Sequence, residues 1–190
     1  GRVLDLAKKL RAAGKMIYFK PLCFTSYVLV TPKGNPGRIT GVEDLARPGV
    51  RLLLAPEASP PGGAASVVLL KKAKIHDAAM KNLVEAGTCV QRTMADLVAG
   101  KGDASIVELR VTRLPQFAGQ AEIIPIPSEF FPPPPLTFTI GVMKDARDRA
   151  LADDYVTYMT GPDGQAFFET AGFIPAASEK GQLLVEKLGV

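Results

Sequence analysis

The stretch from Leu52 to Ala73 constrains the fold more than any other part of this chain. Leu52, Leu53 and Leu54 form an unbroken apolar run, the pattern of a strand buried on both faces of a parallel sheet. Small residues and prolines follow, and then the apolar run Val67-Val68-Leu69-Leu70 ends on Lys71 and Lys72. The pattern is strand, tight loop, helix. Ser59 can cap the helix by accepting a backbone hydrogen bond, and Pro60 or Pro61 suits a first turn where no N–H is needed. Gly62 and Gly63 carry no side chain, so an anion can approach their N–H groups at the positive end of the helix dipole. Such turns also occur without any ligand in α/β proteins, and the residues alone leave both readings open.

The flanking sequence repeats the alternation. Val3, Leu6, Ala7 and Leu10 have helical spacing within Arg2–Ala13, and Gly14 is a fitting C-cap. Tyr27-Val28-Leu29-Val30-Thr31 reads as a strand, closed by the turn residues Pro32 to Gly37. Thr40 is placed to cap a short helix over 41–46. Beyond the organising loop, the residue pattern predicts a helix over 64–73, a second capped by Asp77, a short strand over 83–86, and a helix over 90–99. Gly100-Lys101-Gly102-Asp103 turns into the buried-type strand Ala104-Ser105-Ile106-Val107. Residues 110–117 are weakly helical. Ile123–Pro127 reads as an edge strand, because prolines cannot donate to a ladder. Phe130 to Pro135 is expected to be extended. A strand over 136–143, two helices over 149–159 and 162–171, and a polar tail complete the chain. Strands alternating with helices across short connections predict a mostly parallel, doubly wound α/β sheet.

Composition narrows the function classes. With 190 residues, 47% hydrophobic and 22% charged, the chain can bury a substantial core. Its apolar runs fall well short of the ~20 residues that span a bilayer. The net charge of +4 is spread along the chain without interleaved aromatics, which argues against nucleic acid as a partner. The single histidine, His76, sits between Ile75 and Asp77, where a capping or surface role outweighs catalysis. No nucleophile elbow or spaced carboxylate pair is evident, so binding without chemistry is expected, with no cofactor. Cys23 and Cys89 match no zinc spacing.

The order of these features resembles the periplasmic solute-binding proteins of ABC importers, and within them the molybdate- and tungstate-binding branch. Val28-Leu29-Val30-Thr31-Pro32-Lys33-Gly34-Asn35-Pro36 is similar to the strand that crosses between lobes. Ile39-Thr40-Gly41-Val42-Glu43-Asp44-Leu45-Ala46-Arg47-Pro48-Gly49-Val50 is similar to the entry into the second lobe. Ala55 to Gly63 stands where the family has a ligand-facing loop. Val98 to Val107, Gly161-Pro162-Asp163-Gly164-Gln165-Ala166-Phe167-Phe168-Glu169 and Gly172-Phe173-Ile174-Pro175 resemble further family signatures. The resemblance runs from about Arg2 to Pro175. It implies a type II periplasmic-binding fold: two doubly wound lobes and a hinge, with a small anion held in the interlobe cleft and passed to a membrane permease. The lobes are expected at 38–140 and at 1–37 with 141–190. The family's N-terminal segment, with a serine-bearing loop that supplies half of the oxyanion contacts, has no counterpart here. The first lobe is therefore expected to be incomplete, with strand edges in need of a partner.

By resemblance, the ligand contacts are Ser59, Gly62 and Gly63 at the loop, Cys89 and Val90 at the next helix start, and Glu108 as the selectivity residue. Proline cannot donate, which places the loop donors at Gly62 and Gly63 rather than at Pro61. Glu108 stands where many members have a cleft tyrosine. A carboxylate beside a dianion is repulsive, so three possibilities stay open: the ligand keeps a proton, the ligand is not a molybdate-type dianion, or Glu108 turns away into solvent. Arg92 and Arg110 are near enough in sequence to neutralise it. Cys23 and Cys89 could form a disulfide in an oxidising periplasm, or join Glu108 in a soft-metal site. A periplasmic or extracytoplasmic location follows from the resemblance, although no signal peptide is present in this chain. The alternatives are a ligand-sensing domain of a transcription regulator or receptor on the same fold, or a metal-binding carrier.

Overall fold

The computed structural model describes residues 2–58, 62–132 and 137–190. In chain order the elements are α1 (Arg2–Ala12), β1 (Met16–Thr25), β2 (Tyr27–Pro32), β3 (Leu52–Leu54), α2 (Gly62–Lys72), α3 (His76–Lys81) and β4 (Leu83–Ala86). Then come α4 (Val90–Val98), β5 (Ala104–Glu108), α5 (Leu109–Thr112), β6 (Ala121–Pro125) and β7 (Thr137–Met143). The chain closes with α6 (Arg149–Thr160), α7 (Pro162–Thr170), β8 (Phe173–Pro175) and α8 (Glu179–Leu188). Two compact units result: Gly1–Thr25 with Pro134–Val190, and Ser26–Pro133. The second is inserted between the two pieces of the first. The unit boundaries thus fall at 25/26 and 133/134 rather than at 37/38 and 140/141. The cause is local: β2 pairs with β5 and β6, so it belongs to the inserted unit.

The inserted unit is a five-stranded sheet in the order β4-β3-β5-β2-β6. β3 runs parallel to both β4 and β5, whereas β2 is antiparallel to β5 and β6. The expected parallel sheet is therefore confined to β4-β3-β5, and the sheet as a whole is mixed. Its two faces carry separate cores. On one face Leu29, Leu52, Leu54, Ala104 and Ile106 pack with Ala65, Leu69 and Leu70 of α2. On the other, Val28, Val30, Leu53 and Val107 pack with Met94 and Leu97 of α4. Alternation along each strand sends successive side chains to opposite faces, and an apolar run such as Leu52–Leu54 serves both cores. The winding is double, with α2 on one face and α4 on the other.

Local chemistry fixes the connections. Asp103 accepts from Arg51 N at 2.8 Å and from Arg51 Nη2 at 2.8 Å, clamping the starts of β3 and β5 together. Thr40 does not cap its turn by accepting. Its hydroxyl and amide both donate to Asp44 Oδ2, at 2.8 and 2.6 Å. α3 starts two residues earlier than the Asp77 cap predicts, with Ile75 at the N-cap and no side-chain cap. β6 is the edge strand that its prolines foretell. Of the expected extended stretch 130–135, residues 133–135 lie outside the described residues, and Ser128–Phe130 forms a 3₁₀ turn.

The other unit is an antiparallel sheet in the order β7-β1-β8. β1 is the strand that the sequence pattern misses, because Lys20 and Pro21 break its alternation. The register shifts between Pro21 and Cys23, an irregularity of the kind that accommodates a proline. α8 was expected as polar tail. Leu184, Val185 and Leu188 instead pack against Phe24, Ile174 and Ala176, and the Ser178 hydroxyl caps the helix by accepting from Gly181 N at 3.1 Å. Gln165 knits the unit together: Nε2 donates to Leu22 O and Met159 O, and Oε1 accepts from Ala177 N.

Candidate functional site

The three parallel strands of the inserted unit end at the same edge of their sheet, at Leu54, Ala86 and Glu108. In open α/β sheets this carboxyl edge is where ligands bind, because helix N-termini gather there. Two of the helices that follow are long enough to present a dipole: α2 after β3 and α4 after β4. Gly87 N donates to Leu54 O at 2.8 Å, which carries the pairing one step past the strand ends and holds both loops together.

At the start of α2, Ser59 lies outside the described residues, and Gly62 is the helix's first residue. Gly63 is buried against the preceding turn. A Cβ there would sit 2.4 Å from Ala58 O and 2.7 Å from Pro56 O. The glycine is thus required by backbone packing, a role that the sequence reading missed when it assigned the residue only to ligand approach. At the start of α4, Cys89 is the N-cap in an extended conformation (φ −143°, ψ 119°), and its exposed thiol makes no capping bond. The first-turn amides, Val90 among them, have no intrahelical acceptor by helix geometry. Val90 itself packs partly against the α4-side core.

Glu108 is the unexpected member of this set. It closes β5 and is only 2% exposed, so it neither turns into solvent nor caps α5 with its side chain. Strand alternation places it on the α2 face, in the column that begins with Ala104 and Ile106. Directly opposite in register is Tyr27, also buried. Arg110 forms an ion pair with Glu108 Oε2, and beyond that pair neither carboxylate oxygen has a hydrogen-bond partner among the described residues. Burial pushes the Glu108 carboxyl above the usual carboxylate range, and Arg110 pulls it part of the way back. Burial also raises the Tyr27 phenol, with the Glu108 charge adding to the effect and Arg110 opposing it. Tyr27 is held edge-on by Phe131, with ring centroids 5.3 Å apart, and Lys72 Nζ donates to Phe131 O at 2.7 Å. This wall of Tyr27 and Phe131 was not read from the sequence, because it depends on strand register.

Geometry therefore brings residues 55–58, Gly62–Gly63, Cys89–Val90 and Glu108 to one end of the sheet, with α2 and Glu108 on one face and α4 on the other. Arg92 takes no part in neutralising Glu108; Arg110 does. Cys23 and Cys89 are both free, the first buried and the second exposed, so no disulfide joins them. Burial lifts the Cys23 thiol to about 12, far from a reactive thiolate. No group of three or more His, Cys, Asp or Glu among the described residues could hold a metal ion, which removes the soft-metal site of Cys23, Cys89 and Glu108. Among the described residues no helix is long and apolar enough to cross a membrane.

Comparison with known proteins converges on the same architecture. Residues 4–174 match the family of bacterial extracellular solute-binding proteins. The chain belongs to that family. A curated relative, the molybdate-binding protein ModA of Mycobacterium tuberculosis, is 25% identical over 156 residues, covering 77% of this chain and 52% of the relative. The chain thus spans about half the length of the curated relatives it matches. A substrate-binding domain of a putative molybdenum ABC transporter from Clostridium difficile superposes with a TM-score of 0.76 at 19% identity, covering 90% of this chain and 73% of that one. The periplasmic molybdate-binding protein of Azotobacter vinelandii gives 0.64 at 21% identity, with coverage of 90% and 74%. These likenesses establish the type II periplasmic-binding fold.

Proposed function

We propose that this chain is the extracytoplasmic solute-binding component of an ABC importer, capturing a small oxyanion of the molybdate and tungstate type or a protonated relative. The observation that carries the reading is the meeting of two helix starts, at Gly62–Gly63 and at Cys89–Val90, with the buried Glu108 at one sheet edge. Ser59, Gly62, Gly63, Cys89 and Val90 supply neutral donors, which hold an anion without a counter-charge. Glu108 decides which anion is accepted. Family membership and the similarity to ModA support the transport role over a sensor domain. The bound ligand would be handed to a membrane permease, with no catalytic step.

Thermal denaturation in the presence of oxyanions tests this. A ligand that binds only the folded state stabilises by about 2.7 kcal/mol at a concentration one hundred times its Kd. Molybdate, tungstate, sulfate or hydrogenphosphate is expected to raise the Tm, whereas chloride at equal ionic strength leaves it in place. Absence of a rise with every oxyanion would refute the reading.

A further inference from the structure

We propose that the cleft between α1, β1 and the end of α8 binds a small aromatic carboxylate, with Arg11 and Lys8 holding the anionic head and Phe19 facing the ring. Every residue lining this cleft belongs to the unit made from the chain ends. The site therefore shares no residue with the sheet edge of the inserted unit, and the inference does not depend on an oxyanion binding there.

The cleft has a volume of about 520 Å³, within the roughly 300–1,000 Å³ usual for small-molecule sites. It is lined by Lys8, Arg11 and Ala12 of α1, by Phe19 of β1, and by Gly189 and Val190 beyond α8. α1 packs over both β1 and β7, and the ladder sets Gly141 of β7 opposite Phe19. Paired residues on neighbouring strands point to the same face, so no side chain rises from β7 beside the half-buried Phe19. The backbone requires this glycine. A Cβ at Gly141 would lie 2.5 Å from Tyr18 O and 2.9 Å from Phe19 Cβ. Open space next to an aromatic ring thus follows from the close approach of β1 and β7.

Charge completes the site. Lys8 and Arg11 stand three positions apart, so they share one face of α1. Neither side chain makes an ion pair or a hydrogen bond with the described residues, and Asp5, one turn before Lys8, pairs with neither. Arg11 suits the negative end of the α1 dipole, but that role leaves Lys8 and the facing ring unexplained. A guanidinium fork meets a carboxylate with two parallel hydrogen bonds, and an ammonium adds a point charge. Phe19 and the methylene stems of both cations offer apolar surface to whatever the carboxylate carries. Two cations with an aromatic wall therefore select an organic anion: an inorganic oxyanion would engage the charges and leave the ring unused.

Amide NMR of the full chain titrated with 2-naphthoate tests the assignment. The probe is expected to shift the amides of Lys8, Arg11, Ala12, Phe19 and Gly189, and to bind at least about tenfold more tightly than acetate. Lys8→Gln and Arg11→Gln alter exposed side chains and so spare the fold, and together they should weaken binding by at least about tenfold. Shifts confined to other residues, an unchanged affinity in the double variant, or acetate binding as tightly as 2-naphthoate would overturn the proposal. Equal binding of the neutral 2-naphthalenemethanol would overturn it too, because the cations would then be idle. Oxyanions that leave the Tm unmoved would sink the transport reading without touching this one.

Discussion

Glu108 shows how much a single residue can hide. Its position after an Ile-Val strand was legible. Its burial was not, because that depends on pairing with Tyr27, eighty-one positions away in the chain. Burial also sets a pH dependence. A carboxyl whose folded pKa is raised binds its proton more tightly in the folded state, so its favourable contribution is complete below the unfolded glutamate value. It is lost as pH rises through the folded one. Denaturant titrations across that window should show stability falling with pH, and Glu108→Gln should flatten the slope. Gly63 makes a steric prediction. Gly63→Ala drives a methyl into two backbone carbonyls that have little room to retreat, and a loss of about 1–3 kcal/mol is expected by urea denaturation. Gln165→Leu strands the three backbone groups that Gln165 satisfies, and about 2–4 kcal/mol should go with it.

Elements were legible where one local pattern sufficed. The 90–99 helix, the 104–107 strand and the two helices after 149 follow from apolar spacing and turn residues, and all appear within a residue or two. β1 and α8 escaped because their apolar faces make sense only against partners. β1 has Lys20-Pro21 at its centre and is held by β7, more than a hundred residues onward. α8 looks polar until Leu184, Val185 and Leu188 meet the cluster around Phe24. Caps can be tested at this scale. Asp148 Oδ1 accepts from Leu151 N at 2.9 Å at the start of α6, and Asp148→Ala should cost about 1 kcal/mol in chemical denaturation. Asn at the same position retains an acceptor and should cost less, which separates the cap from any wider effect of the aspartate charge.

The whole molecule divides its apolar burial unevenly. Both large core clusters belong to the inserted unit, whereas the unit made from the chain ends gathers only a small cluster around Phe24. Leu6, Ile17, Leu151, Tyr155, Tyr158, Phe167 and Leu183 are all exposed on that chain-end unit. Hydrogen exchange should accordingly find its slowest amides in Leu29, Val30, Leu53 and Ile106, with β1 and β7 opening sooner. Equal protection in β1 and β5 would contradict this ordering.

The insertion of one unit inside the other also sets a schedule for biosynthesis. As the polypeptide leaves the ribosome, β1 emerges before the 26–133 segment, whereas β7 and β8, the strands that flank it, follow that segment. The intervening 26–133 segment carries its own sheet and both of its cores, so it can collapse while translation continues. Through that interval β1 waits with its ladder groups unpaired, a nascent edge open to the wrong neighbour. For this topology the dangerous moment is the wait for β7 and β8, when a holding chaperone has most to offer.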